Sequence, residues 1–222
     1  MKTLYQYTLC PFSRKVRITL NEKKLIYEKI LEKTWEKRDA FFKLNTLLEV
    51  PVLVDDDFVL SGSIAIDEYL ETEYPDVKLI GNSKFESAEI RKYVAFFDQK
   101  FYAEVTRNLV FEKYIKKYFD KYSGPNSISI REGIKYLNDH LEYLSWLVES
   151  REWISGENFS LADITAAAHI SVLDYINEIP WNKFPEVKMW YLKIKSRPSF
   201  REILDDKIYP ITPPEHYKLI DF

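Results

Sequence analysis

The stretch LCPFSRKVR, residues 9–17, contains the only cysteine of this 222-residue chain and stands between two hydrophobic patterns. A β-prone run from Thr3 to Tyr7 precedes it, and residues 16–24 follow with the three-to-four spacing of a helix. Cys10 is therefore predicted at or just before a helix N-terminus. Free amide groups and the positive end of the helix dipole favour a thiolate at that place.

Nearby cations strengthen this interpretation of Cys10, because positive charge beside a thiol lowers its pKa. Three cations follow within two helical turns, namely Arg14, Lys15 and Arg17. A Cys-Pro-Phe-Ser run after a strand resembles the redox corner of thioredoxin-like proteins, where the cysteine attacks disulfides or forms mixed disulfides. Ser13 stands in the second position, so such a cycle would need an outside thiol. The alternative is that Cys10 is a small buried apolar residue, as cysteine often is.

The composition of the chain limits its function classes. The 32 Lys+Arg and 35 Asp+Glu residues give a net charge of −3, which argues against a nucleic-acid surface. The first residues, MKTLYQYTL, show no secretory leader, and no apolar run approaches the roughly 20 residues that span a bilayer. One cysteine and three histidines offer no pair with metal-ligand spacing. We expect a soluble cytoplasmic protein without a metal, a nucleic-acid partner or a membrane contact.

Strand and helix signals alternate in the first third of the chain. After the first strand and helix comes a β-prone run, a short helix, a hairpin turning at three aspartates, and a helix ended by Pro75. The β-prone run is residues 27–31, the short helix is 38–44, the hairpin is 51–54 with 58–60, and the last helix is 63–74. The inner side of the last helix is expected to carry Ile64, Ile66, Tyr69 and Leu70. The predicted order is βαβαββα.

Strand signals vanish after Pro75, and amphipathic helical patterns take over. Five helices are expected, at residues 86–122, 130–150, 159–177, 186–196 and 199–204. Ser160 and Asp163 form a capping box at the start of the third. The predicted fold class is α/β plus all-α, with domain 1–76, linker 77–85 and an all-helical domain 86–222 whose extended tail begins near residue 207.

Several motifs in combination resemble the cytosolic glutathione S-transferases. They are LCPFSRKVR (9–17), VPVL (50–53), SxAIxxYL (63–70), WxxGxxxSLADI (153–164) and FPxVxxWYxxIxSRPxF (184–200). The resemblance implies a thioredoxin-like, glutathione-binding N-terminal domain followed by a helical domain, usually in a homodimer. It also implies glutathione as a co-substrate, with no other cofactor, and an apolar small-molecule electrophile as the second substrate. Residues 113–122 lie where the family builds the wall of its hydrophobic pocket, although their pattern is that of a solvated helix face.

The family resemblance assigns expected roles to individual residues. Cys10 stands where members with this signature keep a catalytic cysteine; Ser13 and Thr8 are weaker candidates, because other members use a hydroxyl in this loop. The glutathione-binding set would be Val50 through its backbone, Pro51, Ser63 at a helix start, and Phe12. Pro51 is expected to follow a cis peptide bond, whereas an ordinary trans proline at a strand start is the alternative.

Two departures from the family pattern concern the glutathione site. The family usually has an acidic or amide residue before Ser63, and this chain has Gly62, so the partner of the γ-glutamyl ammonium is missing. Leu48 stands where a glycine commonly allows close approach of the backbone. These changes predict weakened glutathione binding.

A closer resemblance concerns the C-terminal half. DQKFYxEV (98–105), residues 153–201 and the ending HYxxxDF (216–222) are similar to the glutathione-transferase-like division proteins of alphaproteobacteria, which bind the tubulin-like protein FtsZ. The tail has three prolines that prevent a helix and several aromatic or apolar residues. It either packs over its own helices or forms an exposed partner-binding element.

Two functions therefore remain open at this point. The first is glutathione-dependent transfer to an apolar electrophile, or glutathionyl transfer through Cys10. The second is a non-catalytic protein on the same fold that binds FtsZ through its helical domain and tail. Cys10 favours the enzyme, whereas Gly62 and Leu48 favour the binding protein.

Overall fold

The computed structural model describes residues 1–221, and its first part is a four-stranded sheet flanked by helices. The strands lie in the order β2-β1-β3-β4, with β2 parallel to β1 and the other neighbours antiparallel. The predicted order βαβαββα is confirmed. The elements are β1 (Lys2–Gln6), α1 (Pro11–Glu22), β2 (Tyr27–Leu31), a 3₁₀ turn (Thr34–Glu36), α2 (Asp39–Phe42), β3 (Val52–Asp55), β4 (Phe58–Ser61) and α3 (Ser63–Glu73).

A small apolar core joins this sheet to α1 and α3. Leu4 on β1 pairs with Leu53 on β3, and both are buried. Helix α1 adds Val16 and Leu20, four residues apart and so on one face, and α3 adds Ile66. Ile64 was predicted to share that face, but it is 49% exposed, because the helix turns it toward the surface. The Val50–Pro51 peptide bond is cis, as expected.

The second part of the described chain is helical, apart from two single β-bridges, as predicted. Helix α4 (Lys84–Ala95) continues without a break through a π-helical stretch (Phe96–Ile115) into α5 (Lys116–Phe119). The other helices are α6 (Ser127–Glu149), α7 (Leu161–Tyr175), α8 (Pro185–Lys195) and α9 (Arg201–Leu204), with 3₁₀ turns at Trp181–Lys183, Pro198–Phe200 and Glu215–Lys218. Among residues 1–221 no helix combines the length and the apolarity needed to cross a membrane.

Helix α7 is the centre of this half, because every one of its residues is buried. The predicted capping box at its start is present, with Ser160 and Asp163 bonding each other's backbone. Asp163 also accepts hydrogen bonds from the Ile154 amide and the Trp190 indole, which joins the helix start to α8. Helix α1 packs directly on α7, and its Ile18 belongs to the same core, as does Leu9 just before the helix. The N-terminus of α1 is thus held against the centre of the helical half.

Candidate functional site

Two neighbouring cavities lie between the sheet-containing part and the helical part. The larger has a volume of about 770 Å³ and is lined by Cys10 and by residues of the π-helical stretch. The smaller, of about 520 Å³, is lined by Pro51 and the start of α3. The two share part of their lining, namely Phe12, Leu47, Glu49, Val50 and Asp98. A ligand in one cavity therefore lies beside a ligand in the other.

Cys10 is the N-cap residue of α1, as predicted, and it lines the larger cavity. Its thiol lies 3.8 Å from the carbonyl oxygen of Val50, to which it can donate a hydrogen bond. Removal of water by the surrounding groups raises the pKa of the thiol, and hydrogen bonds from Ser13 and from the amide of Phe12 oppose this only in part. The expected thiolate is therefore not favoured, because desolvation outweighs the helix terminus.

The three cations that were expected to activate Cys10 point elsewhere. Each has a fully buried side chain that forms an ion pair with a carboxylate. Arg17 bonds Glu202 and Asp206 beside α9, which holds the pKa of Glu202 down at about 2. Helical spacing alone could not show this, because the direction of a side chain depends on which element packs against its face.

The two weaker catalytic candidates differ in what they contact. Ser13 is wholly buried, and its hydroxyl accepts a hydrogen bond from the Tyr7 amide at 3.3 Å. Thr8 offers its carbonyl to the Arg14 side chain at 2.9 Å, and neither Ser13 nor Thr8 lines either of these two cavities. Both residues support the shape of the loop around Cys10.

The predicted glutathione-binding residues come together around the smaller cavity. Val50, Pro51, Ser63 and Phe12 all line it, and Ser63 is the first residue of α3. Free amide groups at that helix start suit a carboxylate. The charged residues in this lining are Glu49 and Asp98, and within residues 1–221 no lysine or arginine belongs to it. The smaller cavity therefore offers a helix start for a carboxylate and the Glu49 side chain for an ammonium group.

The backbone conformation at Gly62 and Leu48 shows what each departure from the family pattern changes. Gly62 has φ of 90° and ψ of 131°, a conformation that L-residues rarely adopt, although a Cβ there would meet no atom within 4 Å. Leu48 has φ of 54°, so the loop retains the left-handed conformation that favours glycine. The shape of the loop is retained at Leu48, and the usual side chain before Ser63 is lost.

Asp98 belongs to a buried charge cluster at the boundary of the two cavities. Lys15 pairs with Asp98 at 2.7 Å and with Asp67 at 2.9 Å, and His169 lies 3.3 Å from Asp98. Burial raises the pKa of Asp67 to about 6 despite Lys15, whereas Lys15 and His169 hold the pKa of Asp98 below its usual value against burial. His169 also contacts the Thr106 hydroxyl at 3.1 Å. His169 is thus a buried, hydrogen-bonded histidine of the core.

Aromatic rings close the larger cavity, and most were not singled out from the sequence. Trp35 stacks on Tyr118 with ring centroids 4.6 Å apart and meets the edge of Tyr7 at 5.2 Å. Tyr102 packs on Phe12 at 4.8 Å. Ile115 and Phe119 line this cavity, so the residue 113–122 segment does form part of the wall, as the family resemblance implied. The Trp35 contact joins elements over 80 residues apart, which no local pattern could reveal.

Cations also belong to the larger cavity, in contrast to the smaller one. Its lining contains Lys37 and Arg107. Desolvation raises the pKa of Tyr7 to about 12, so its hydroxyl stays protonated at neutral pH.

Within residues 1–221 no cluster of histidine, cysteine, aspartate or glutamate side chains could hold a metal ion.

The C-terminal tail combines both alternatives that the sequence left open. Tyr217 is completely buried, and its hydroxyl accepts a hydrogen bond from Arg14. Tyr209, Leu219 and Ile220 are exposed. The described tail is therefore anchored at Tyr217 and at the neighbouring His216, which contacts Asp174, and it offers apolar side chains at its surface. Phe222 lies outside the described residues.

Two family models match the chain. The model of the glutathione S-transferase N-terminal domain matches residues 4–78, and that of the glutathione S-transferase C-terminal domain matches residues 131–198. FtsZ-localized protein A of Caulobacter vibrioides (strain NA1000 / CB15N) is 38% identical over 225 residues, which cover 100% of this chain and 98% of that protein.

Solved structures superpose over the whole length. A glutathione S-transferase from Rhodospirillum rubrum F11 is 45% identical with a TM-score of 0.96, and the match covers 100% of both chains. FzlA from C. crescentus is 37% identical with a TM-score of 0.94, covering 100% of this chain and 99% of the other. Similarity thus extends both to a structure described as a transferase and to a protein named for its association with FtsZ.

Proposed function

Because the chain belongs to the glutathione S-transferase family, we propose that it joins glutathione, through its sulfur, to an apolar electrophile. One observation carries this proposal: two adjoining cavities share the wall formed by Phe12 and Val50, and Cys10 lies next to Val50. Glutathione would occupy the smaller cavity and the electrophile the larger, aromatic one. Such adjacency supplies the proximity that a two-substrate reaction needs.

The smaller cavity offers specific groups for glutathione. Ser63 and the free amides of α3 would hold the γ-glutamyl carboxylate, and the Val50 backbone would pair with the cysteinyl part. Glu49 is an exposed carboxylate in the shared lining and would replace the missing acid before Ser63 for the ammonium group. Lys37, in the larger cavity, is a cation available to the other carboxylate.

The proposed reaction is a displacement at carbon. The glutathione thiol gives up its proton to water, its sulfur electron pair bonds to the electrophilic carbon, and the leaving group departs with the electrons of the broken bond. Since burial keeps Cys10 protonated near neutral pH, its S–H can donate a weak hydrogen bond to the developing thiolate. In this reaction Cys10 acts as a donor and forms no covalent intermediate.

Glutathionyl transfer is the second reaction that Cys10 could perform. Its thiolate would attack glutathione disulfide, forming a mixed disulfide and releasing a glutathione thiolate. The raised pKa makes the attacking thiolate scarce at neutral pH, so this rate should increase with pH until the thiol has ionised. We therefore place this reaction second.

Isothermal titration with reduced glutathione tests the smaller cavity. Binding in the micromolar to low-millimolar range is expected, and Ser63→Ala should weaken it about tenfold through the lost hydrogen bond to a carboxylate. Ser127→Ala is the matched control, because Ser127 also begins a helix but lines neither cavity. No detectable binding by the wild type would refute the proposal.

Two Cys10 variants separate the roles of the thiol. Cys10→Ser keeps a hydrogen-bond donor and should retain conjugation of a chlorodinitrobenzene, whereas Cys10→Ala should lose part of it. Both variants should lose mixed-disulfide formation, measured by intact mass after exposure to glutathione disulfide. Equal conjugation by all three proteins would show that Cys10 has no part in this reaction.

The proposal includes a homodimer in the cytoplasm. The cytoplasm is the compartment that keeps a free thiol such as Cys10 reduced. Phe58, Ile64 and Phe85 are about half exposed or more, and such apolar side chains suit a contact with a second copy. Light scattering after size-exclusion chromatography should give twice the chain mass of 26.5 kDa.

A second candidate function is binding of FtsZ. It is favoured by the name of the full-length relative FtsZ-localized protein A and by the exposed tail residues Leu219 and Ile220. Co-pelleting with polymerised FtsZ should fall when both are replaced by alanine, because apolar contact area is lost. Wild-type protein that stays in the supernatant would exclude this function.

A further inference from the structure

A buried arginine connects the C-terminal tail to the loop that holds Cys10. The Arg14 side chain is completely buried between α1, α7 and the tail. Its Nε donates to the carbonyl of Thr8 at 2.9 Å, and its Nη1 donates to Ser171 Oγ at 2.9 Å and to Tyr217 Oη at 3.1 Å. One guanidinium thus bonds the tail and the active-site loop at the same time.

The tail segment around Tyr217 is firmly placed. The Tyr217 hydroxyl donates to the carbonyl of Ile203 at 3.1 Å, and its ring meets Tyr175 edge to face at 5.0 Å. His216 contacts Asp174 at 2.9 Å, and its carbonyl accepts a hydrogen bond from the Lys195 ammonium. These contacts give the Tyr217 hydroxyl a defined position against Arg14.

Arg14 has few partners that could replace Tyr217. Its Nη2 makes no hydrogen bond in the described chain, and the carboxylate paired with it, Asp206, is 3.7 Å away. In a buried place water does not substitute for a lost acceptor, so each remaining acceptor has a large effect. Loss of the Tyr217 hydroxyl would leave Arg14 with Thr8, Ser171 and the distant Asp206.

Arg14 controls the loop through its backbone as well. Its amide donates to the Cys10 carbonyl at 3.0 Å, and the Cys10 amide donates to the Tyr7 carbonyl at 2.9 Å. The side chain and the main chain of Arg14 therefore hold residues 8–10 from two directions.

We propose that Tyr217 is a positioning residue of the candidate site, which holds Arg14 against the Thr8 carbonyl and thereby sets the place of Cys10 in the cavity wall. Displacement of the tail, for example by a partner that grips its exposed apolar residues, then changes the exposure of Cys10. The use of this effect in catalysis rests on the proposed transfer function, whereas the mechanical connection is a property of the chain itself.

Alkylation of Cys10 by iodoacetamide tests the connection, because it is the only cysteine in the chain. Tyr217→Phe keeps the buried ring and removes the hydroxyl. We expect alkylation near neutral pH to become about tenfold faster, the factor that corresponds to one hydrogen bond to a charged group. Ile220→Ala, an exposed change in the same tail, is the control and should react like the wild type.

The pH profile of alkylation separates positioning from a merely structural role. Release of the loop should hydrate Cys10 and move the pH midpoint of alkylation downward, toward the pKa of an ordinary thiol. The titratable groups that act on Cys10, namely Tyr7, Tyr102 and Asp98, are unchanged in the variant. A lower melting temperature with an unchanged rate and midpoint would overturn the proposal.

Ser171→Ala tests whether the effect passes through Arg14. It removes another acceptor of the same Nη1 without altering the tail, so it should shift rate and midpoint in the same direction. Acceleration by Tyr217→Phe with no change in Ser171→Ala would overturn the route through Arg14. Glutathione titration of the wild type is independent: a lack of binding would refute the transfer function and leave the alkylation result valid.

Discussion

The two cavities share a wall but differ in the charged and aromatic residues of their lining. The larger is walled by aromatic rings and includes Lys37 and Arg107, whereas the described lining of the smaller has the carboxylates Glu49 and Asp98 without a lysine or arginine. The smaller also lacks the usual side chain before Ser63. The comparison indicates that the aromatic pocket suits an apolar ligand, and that the proposed binding of glutathione would need groups outside the family pattern.

Removal of Lys15 should disturb both cavities and have the largest effect. Lys15→Met leaves Asp67 and Asp98 buried without their cation, which should lower the free energy of unfolding by about 3–5 kcal/mol. Urea unfolding measures this loss. Lys100→Met is the control, because the Lys100 side chain is 57% exposed and the expected loss is below about 1 kcal/mol. Equal losses would show that the buried cluster of Lys15, Asp67 and Asp98 does not stabilise the fold.

The pH dependence of the free energy of unfolding should report the raised pKa of Asp67. Burial raises the pKa of Asp67 to about 6, against an ordinary value of 3.8 in the unfolded chain. The folded protein therefore binds this proton more tightly and gains stability as pH falls from about 6 to about 4. The difference in unfolding free energy between wild type and Asp67→Asn should change by about 2 kcal/mol in favour of the wild type over that range. If this difference in unfolding free energy did not change with pH, the raised pKa of Asp67 would be wrong.

Two substitutions at Gly62 test the missing acid of the smaller cavity. Gly62→Ala and Gly62→Glu should each lower stability by about 1–2 kcal/mol, because φ of 90° is strained for any side chain. Glutathione affinity should be higher in the glutamate variant than in the alanine variant, since only glutamate offers a carboxylate to the ammonium. Titration of both measures the difference, and equal affinities would show that Glu49 already supplies this charge.

The smallest expected effect concerns the aromatic wall of the larger cavity. Trp35→Ala removes the stack on Tyr118 and should weaken binding of an apolar fluorescent probe about threefold to tenfold, with glutathione affinity unchanged. Trp146→Ala is the control, because Trp146 is exposed and lines neither cavity. A parallel loss of glutathione binding in Trp35→Ala would show that the two cavities are not independent.

Much of the fold was predictable from local signals. The β-prone runs and the hairpin signal predicted all four strands, and the switch to helical spacing after Pro75 predicted the helical half. The capping box of Ser160 and Asp163 was predictable for the same reason, since its partners are three residues apart. Ile64 was assigned to a buried face yet is 49% exposed, because helical periodicity does not tell where a packing partner ends.

The sequence by itself determined the order of elements, the place of Cys10 before α1 and the grouping of Val50, Pro51 and Ser63, because these follow from short-range spacing and family motifs. Only the tertiary structure decided the protonation of Cys10 and the direction of the three cations on α1. Both depend on desolvation and on carboxylates such as Asp98 and Asp206, which are distant in sequence. The anchoring of Tyr217 on Arg14 is decided in the same way, by packing between the two ends of the chain.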